Sequence, residues 1–284
     1  MEPAPRFSFG VIADVQHADA EDGHDFWGCR RRYYRHSLRL LRAAVEAWAA
    51  ERPPPAFVLQ LGDCIDGVNA RSGAAEAEAA LGRVLEALGR LRVPVHHVWG
   101  NHELYNFCRA RLAQSGLRSR PPPSAGPPAA PPGDCQAYHF CPAPRFRFVL
   151  LDGYELSPLG RDADSPRHRA ALRLLREKNR NADLNSPAGL EEPQFVEFNG
   201  GFSQAQLDWF NDVLKFSDDN QEKVVVMGHL HDGGYCLDSH GVHHLTLEGV
   251  IETPPESNAF GTIYVYDDKM IQNSKNYVSV RNKT

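Results

Sequence analysis

Side chains that bind metals follow four predicted strands of this sequence, at the point where each strand ends. They are Asp14 and Gln16 after the first strand, Asp63 and Asp66 after the second, Asn101 and His102 after the third, and His229 and His231 after a later one. Because open α/β sheets bind ligands outside the carboxyl ends of their strands, we expect these side chains to converge on one site. Carboxylate, amide and imidazole groups favour divalent metals such as Mn²⁺, Zn²⁺ or Fe²⁺.

Each of these motifs alone is typical of a turn with a satisfied polar side chain. Their joint occurrence, each after a β-type apolar run, indicates a metal site. A glycine stands before Asp63, Asn101 and His229, where it permits a tight turn and close approach of the backbone to a ligand.

Alternating strands and amphipathic helices are predicted to position these groups. The buried strands are Phe7 to Ala13, Ala56 to Leu61 and Val95 to Trp99, and the helices are Arg30 to Ala50 and Ala74 to Leu91. This βαβαβ order predicts an α/β fold in which helices cover a parallel sheet.

The second half of the chain continues with shorter elements. The strands predicted there are Gln136 to Phe140, Arg145 to Leu151, Val224 to Met227, His243 to Leu247 and Thr262 to Tyr266, and a Pro/Ala-rich loop is predicted at 121–133. Ser165 caps one predicted helix. Ser203 to Gln206 match a capping box, and Leu207, Phe210 and Leu214 are predicted to form the buried face of the helix that follows.

Composition narrows the class of protein. A chain of 284 residues that is 42% hydrophobic can bury a sizeable core, which excludes disorder as a global description. No apolar run reaches the roughly 20 residues of a membrane span, and a net charge of −5 argues against a general nucleic-acid binder. Six cysteines without a CxxC pair, and a first segment without signal-peptide character, predict reduced thiols and a cytoplasmic monomer.

The motif order resembles the calcineurin-like metallophosphoesterase superfamily, whose blocks are D-x-[HQ], GD-x-x-D, GNH[DE], GH and GHxH. Stretches such as 31–38, 192–195 and 231–235 are similar to the branch that hydrolyses ADP-ribose and CDP-alcohols with manganese, and Gln16 is characteristic of that branch. The resemblance extends from about Phe7 to about Lys269. It implies a metallophosphoesterase-type four-layer fold, in which a central β-sheet sandwich is flanked by helices.

The same resemblance implies a role for each residue that matches a block. Two divalent ions are implied, with Mn²⁺ first and Zn²⁺, Fe²⁺ or Mg²⁺ as alternatives. Asp14, Gln16 and His231 would hold metal one, Asp63 would bridge both metals, and Asn101 and His229 would hold metal two. A water activated by the two metals would attack a phosphorus of a nucleoside diphosphate. The implied products are AMP or CMP and a phosphorylated sugar or alcohol.

Three further residues match positions around the substrate. His102 would donate a proton to the leaving oxygen or stabilise its charge. Phe26 and Leu184 would pack against nucleoside or ribose. The other interpretation is that each is an apolar residue of the core or of a loop. Cys64 is interpreted as a small apolar filler rather than a thiolate ligand, and Arg30 to Arg32 as a solvated helix start rather than a steering patch for anions.

One block of the superfamily pattern is missing. Lys223 to Met227 resembles the strand before the first GH block, whereas Gly228 to Tyr235 resembles the second block, and nothing separates them. We therefore expect a helix–strand unit and one histidine to be absent, which exposes a sheet edge and weakens the binding of metal two. His240, His243 and His244 are the candidate replacements for the lost ligand, but we expect them to lie along a strand and its turn instead. The chain divides into a catalytic domain, 1–271, and a polar tail, 272–284.

Three hypotheses follow for the function. The first is a working dinuclear diphosphatase that acts on small nucleoside diphosphates, without a nucleic-acid or membrane partner. The second is a truncated or splice-type variant with weak or no activity, which only binds nucleotide or metal. The third is a protein phosphatase or nuclease on the same scaffold, against which Gln16 and the stretch 232–235 weigh.

Overall fold

The computed structural model describes residues 4–25, 27–119, 126–127, 130–131, 133–226, 232–237, 243–257, 259–273 and 279–281, and of 232–237, 243–248, 273 and 279–281 the backbone alone. The helices are α1 (Tyr34–Ala50), α2 (Val68–Ser72), α3 (Ala74–Leu88), α4 (Asn101–Asn106), α5 (Arg109–Leu112), α6 (Pro166–Lys178) and α7 (Gln204–Asp219). The strands are β1 (Phe7–Ile12), β2 (Gly23–His24), β3 (Arg31–Arg32), β4 (Val58–Gln60), β5 (Val95–His97), β6 (Tyr138–Ala143), β7 (Phe146–Leu150), β8 (Lys223–Val226), β9 (Asp232–Leu237), β10 (His243–Glu248), β11 (Phe260–Val265), β12 (Lys269–Asn273) and β13 (Ser279–Arg281).

Two sheets form the centre of the molecule. The first has the order β13-β12-β11-β1-β4-β5, in which β1, β4 and β5 are parallel and β11 runs antiparallel to β1. The second has the order β6-β7-β8. The predicted parallel order of the first three long strands is confirmed, whereas the antiparallel strands beside them come from the far end of the chain.

Apolar side chains that alternate along the strands pack between the layers. Phe9 and Val11 of β1 pack with Phe140 and Phe148 of the second sheet. The opposite face of the first sheet packs against α1 and α3, and that of the second sheet against α7. The order is helix, sheet, sheet, helix, as the four-layer prediction states, because each sheet must bury both of its faces.

Helix α1 begins later than predicted. Arg31 and Arg32 form β3, which pairs with β2, and the Asp25 carboxylate accepts the backbone N–H groups of Cys29 and Arg30 to close the turn between them. The prediction of a solvated helix start at 30–32 is therefore wrong, since these backbone groups are taken by a hairpin. Arg32 instead pairs with Asp66, with Nη1 3.3 Å from Oδ2.

The buried face of α7 also differs from the prediction. Leu207 is 41% exposed and Leu214 is 38% exposed, whereas Gln206, Trp209 and Val213 are buried. Ser203 caps the helix by accepting from Gln206 N at 3.2 Å. The reciprocal bond of a capping box does not form, because the Gln206 amide is used at Asp152 and Glu155. These bonds turn the polar residue inward and the leucines outward.

The second sheet ends at β8 within the described part of the chain. Val224 to Val226 are partly exposed there, as expected if a neighbouring strand is missing. Met227 to His231 lie outside the described residues, and so does most of the predicted loop 121–133. Strand β12 crosses the predicted boundary at 271, and the division into domain and tail stays a prediction. None of the described helices is long and apolar enough to cross a membrane.

Candidate metal and phosphoryl site

The carboxyl ends of β1, β4 and β5 bring five of the predicted site residues together. Gln16 N donates to Asp63 O at 2.8 Å and Gln16 Nε2 to Asp14 Oδ1 at 3.1 Å, which joins the first two loops. His102 N donates to Asp63 Oδ1 at 2.9 Å, which joins the second loop to the start of α4, where Asn101 stands. Residues 87 positions apart in the sequence thus share one site because three parallel strands end side by side.

Three of these residues have left-handed backbones. Asp14, Gln16 and Asp63 have φ values of 52°, 40° and 55°. This region is uncommon for residues with a Cβ, and such strain persists only where the surrounding structure imposes it, often at functional sites. All three side chains are fully buried. The backbone is therefore bent to turn polar side chains into the protein beside the strand ends.

Glu103 joins the second and third loops, a role that the sequence analysis missed. Its Oε2 accepts from Asp63 N at 2.9 Å and from Gly100 N at 2.8 Å, and its Oε1 accepts from Cys64 N at 2.5 Å. Burial raises the pKa of Glu103, and these backbone donors oppose the shift. Since only donors face it, the group is satisfied best as an ionised carboxylate.

The ring of His102 has one nitrogen committed to the protein. Its Nδ1 accepts from Gly67 N at 2.8 Å, so a neutral ring carries its proton on Nε2. Asp66 Oδ2 lies 3.3 Å from Nδ1 and also receives Arg32. In this arrangement Nε2–H is the hydrogen-bond donor of the neutral His102 ring.

Two tyrosines flank Asn101. Asn101 Nδ2 donates to Tyr105 Oη at 3.1 Å, and Tyr154 Oη lies 3.4 Å from Asn101 Oδ1. Burial raises the pKa of Tyr154 well above its usual value, and the charges of Asp63 and Asp14 add to that shift. Both tyrosines lie outside every motif in the sequence, and only the geometry connects them to the site.

A cavity of about 760 Å³ lies at the same end of the two sheets. Its walls include Trp99, Leu151, Tyr154, Phe195 and Val226, which are largely apolar. Tyr154 belongs both to this cavity and to the surroundings of Asn101. A planar apolar group held in the cavity would therefore lie close to the polar site.

The donor set fits divalent metals. Asp14 and Asp63 provide buried carboxylates, Gln16 and Asn101 provide amide oxygens, and such oxygen donors suit Mn²⁺ or Mg²⁺. Among the described residues no group of three or more His, Cys, Asp or Glu side chains is placed to hold a metal; Gln16 and Asn101 are amides, and His229 and His231 lie outside those residues. Cys64 is fully buried in the apolar core, and burial raises its thiol pKa well above the usual value, so it is a filler as predicted.

The remaining predicted site residues lie apart or are not described. His229, His231 and Phe26 are outside the described residues, and their roles stay predictions. Leu184 is partly buried, and its backbone oxygen accepts from Asn179 Nδ2 and Glu197 N. It is not part of the cavity wall.

Known proteins resemble the chain over almost its whole length. The family model for calcineurin-like phosphoesterase matches residues 7–248. The manganese-dependent ADP-ribose/CDP-alcohol diphosphatases of Bos taurus and Homo sapiens are both 50% identical, over 97% of this chain and 93% and 92% of their own length. The crystal structure of a dimetal phosphatase from Danio rerio is 42% identical, with a TM-score of 0.89 over 98% of this chain and 100% of the other.

The relatives are longer than this chain within the matched region. The match to the bovine protein runs over 315 positions but covers only 97% of the 284 residues here, so about 40 of its positions have no counterpart in this chain. A helix and a strand with their connections have about this length, in agreement with the predicted loss of one such unit. The matched family model, with the parallel strands that carry Asp14, Asp63 and Asn101 to one site, shows that the chain belongs to the calcineurin-like phosphoesterase family.

Proposed function

We propose that this chain hydrolyses the diphosphate bond of ADP-ribose and CDP-alcohols, giving AMP or CMP and a phosphorylated sugar or alcohol. The observation that carries the proposal is the joining of Asp14, Gln16, Asp63 and Asn101 at three strand ends. The names of the bovine and human relatives supply the substrate class.

The residues have distinct parts in this reaction. Asp14 and Gln16 would hold metal one, with His231 as a further predicted ligand. Asn101 would hold metal two, with His229 as a further predicted ligand, and Asp63 would bind both ions. Two bound Mn²⁺ ions supply a nucleophile from water at neutral pH and neutralise charge on the phosphoryl oxygens. His102, whose Nδ1 accepts from Gly67 N, would donate its Nε2–H to a phosphate oxygen as charge develops on it.

The cavity offers a place for the nucleoside. Tyr154 and Phe195 present aromatic rings, and Leu151 and Val226 add apolar surface. A nucleobase is planar and largely apolar on its faces, and such walls suit it. We place the diphosphate against the metal-binding residues and the base toward this cavity.

The test is AMP release from ADP-ribose during a Mn²⁺ titration of chelator-treated protein. Asp63→Asn should lower turnover by more than about 100-fold, since loss of a group that only orients a metal ligand already costs about 10- to 100-fold. Asp267→Asn is the matched control, because that carboxylate is exposed and pairs with Arg6. Faster cleavage of bis-p-nitrophenyl phosphate than of ADP-ribose would contradict the substrate class and favour another phosphoesterase.

A second candidate function is favoured by the positions, about 40, that the bovine relative has and this chain lacks. With one ligand of metal two lost, the chain would bind nucleotide or metal without turnover. Calorimetry with Mn²⁺ and ADP-ribose separates the two functions. Saturable binding without AMP release at saturating Mn²⁺, in a cooperatively folded protein, would establish the binding function instead.

A further inference from the structure

The amide of Asn101 is contacted at both of its ends by tyrosine hydroxyls. Its nitrogen donates to Tyr105 Oη at 3.1 Å, and its oxygen lies 3.4 Å from Tyr154 Oη. Tyr105 is four residues further along α4, on the same side of the helix. Tyr154 comes from the loop after β7, in a different layer of the molecule.

The orientation of this amide decides whether Asn101 is able to bind a metal. Only the oxygen of an amide accepts a cation, whereas the NH₂ group is a donor that faces acceptors. A half-turn about the last side-chain bond exchanges the two ends. A tyrosine hydroxyl both donates and accepts, so the two hydroxyls do not choose between the ends, but contacts on both sides hold the amide group in place.

We propose that Tyr105 and Tyr154 are positioning residues that hold the Asn101 side chain where its oxygen binds metal two. The inference rests on the proposed function, because it takes Asn101 as a metal ligand. The two hydroxyls contact the amide from opposite sides, which restricts the side-chain torsions of Asn101.

The backbone of Tyr154 is held by a buried ion pair. Its N–H donates to Asp152 Oδ1 at 3.1 Å, and its carbonyl accepts from Arg109 Nη1 at 3.2 Å. Arg109 and Asp152 pair directly, and both are buried. Since Arg109 follows α4 within three residues of its end, the same part of the chain carries Asn101 and holds Tyr154.

The two tyrosine hydroxyls are expected to contribute unequally to metal binding. The Tyr154 hydroxyl also lies 3.3 Å from the carbonyl oxygen of Phe198, so its one proton has two acceptors. Tyr105 receives the Asn101 nitrogen at the shorter distance. The loss of the Tyr105 hydroxyl should therefore weaken metal binding more.

A Mn²⁺ titration in which electron paramagnetic resonance measures the free ion tests this inference without any assay of activity. The wild-type chain should bind two ions. Tyr105→Phe should weaken the second ion about tenfold, the lower end of the range for groups that orient a metal ligand, and Tyr154→Phe about threefold. Tyr138→Phe is the matched control, because its hydroxyl contacts His96 rather than a proposed ligand. It should leave both affinities unchanged.

A double-mutant cycle with Asn101→Ala separates positioning from general damage. Alanine has no side-chain oxygen for the tyrosines to hold in place. Tyr105→Phe should therefore weaken Mn²⁺ binding no further in the Asn101→Ala background. Equal losses in both backgrounds, or no loss in either, would overturn the inference even if the wild-type chain binds two ions. If the wild-type chain binds fewer than two, the proposed function fails and this inference with it.

Discussion

At the scale of single residues, Gly100 lies directly against the side chain of Asp63. A Cβ at position 100 would overlap Asp63 Oδ1 and would lie 2.9 Å from Asp63 N. The contact involves the backbone of the neighbouring loop, which cannot turn aside as a flexible side chain does. The spacing between the Asp63 and Asn101 loops therefore depends on the absence of a side chain here.

Gly100→Ala should lower Mn²⁺ affinity and turnover by at least about 100-fold, because it pushes apart two loops that share the metal site. Gly82→Ala is the control, since a Cβ there has no neighbour within 4 Å and lies on α3. That change should raise the free energy of unfolding by about 0.5–1 kcal/mol. Normal Mn²⁺ binding by Gly100→Ala in a titration would contradict the close contact.

Glu103→Gln should destabilise the protein by about 2–3 kcal/mol, because the new NH₂ group faces backbone donors where an oxygen is needed. The affected donors are the N–H groups of Gly100, Asp63 and Cys64. Urea unfolding of the metal-free protein measures the loss apart from any metal. Glu76→Gln on α3 serves as a comparison, with an expected change within about 0.5 kcal/mol; similar losses for both variants would rule out the buried role of Glu103.

At the scale of elements, β5 brings two neutral histidines into the core. His96 stacks on Phe140 with 3.9 Å between ring centroids, and His97 Nδ1 lies 3.3 Å from Gln60 Oε1. Burial lowers the pKa of each to about 4, from an ordinary value of 6.5. The folded state thus disfavours protonation of the His96 and His97 side chains.

The free energy of unfolding should fall as the pH is lowered from about 6.5 to about 4. In that window the unfolded chain binds protons that the folded chain does not, at up to about 1.4 kcal/mol per pH unit for each histidine. Urea titrations in chelator measure the slope, and His96→Phe should reduce it. His24→Gln, at an exposed position of β2, should leave it unchanged. An unaltered slope in His96→Phe would show that this histidine is not the cause.

Helix α7 gives a second prediction at this scale. Val213→Ala should cost about 2 kcal/mol of stability, since Val213 is fully buried beside Trp209. Leu207→Gln should change stability by less than about 0.5 kcal/mol, because Leu207 is 41% exposed. Thermal or urea unfolding of both variants decides between the observed face and the one that the leucine spacing predicts.

The sequence predicted the elements better than their orientations. The strands before Asp14, Asp63 and Asn101 follow from short apolar runs that end in polar residues, and their parallel order follows from the intervening helices. The orientation of α7 could not be predicted, because both of its faces carry apolar residues at helical spacing. The bonds of Gln206 to Asp152 and Glu155, about 50 residues earlier, decide between them.

At the scale of the whole molecule, the proposed ligands join distant parts of the chain. Asp14, Asp63 and Asn101 follow three different strands, and no motif in the sequence shows that Glu103 or Tyr154 connects their loops. A local pattern identifies a ligand type, whereas the contact between two loops depends on how the sheet is assembled. The types of ligand at the site could therefore be predicted from the sequence, whereas the residues that join the ligand-bearing loops could not.

Mn²⁺ should stabilise the whole fold, because an ion bound only by the folded chain adds RT ln(1 + [L]/Kd), about 2.7 kcal/mol at 100 times Kd. The melting temperature should rise with Mn²⁺ concentration and return after chelation. Asp14→Asn should suppress much of this rise while the metal-free protein still unfolds cooperatively. Asp22→Asn, an exposed carboxylate that pairs with Arg31, is the control. A melting temperature independent of Mn²⁺ would argue against a metal site that spans these loops.

The position of β1 between β4 and β11 has a consequence for biosynthesis. Phe7 pairs with Val265, so the strand that leads to Asp14 gains one of its two neighbours only after residue 265 has left the ribosome. Until then, the edge of β1 that β11 will cover is available to other chains. We therefore expect this sheet to close long after β1 is made, and the nascent chain to depend on chaperones while that edge is exposed.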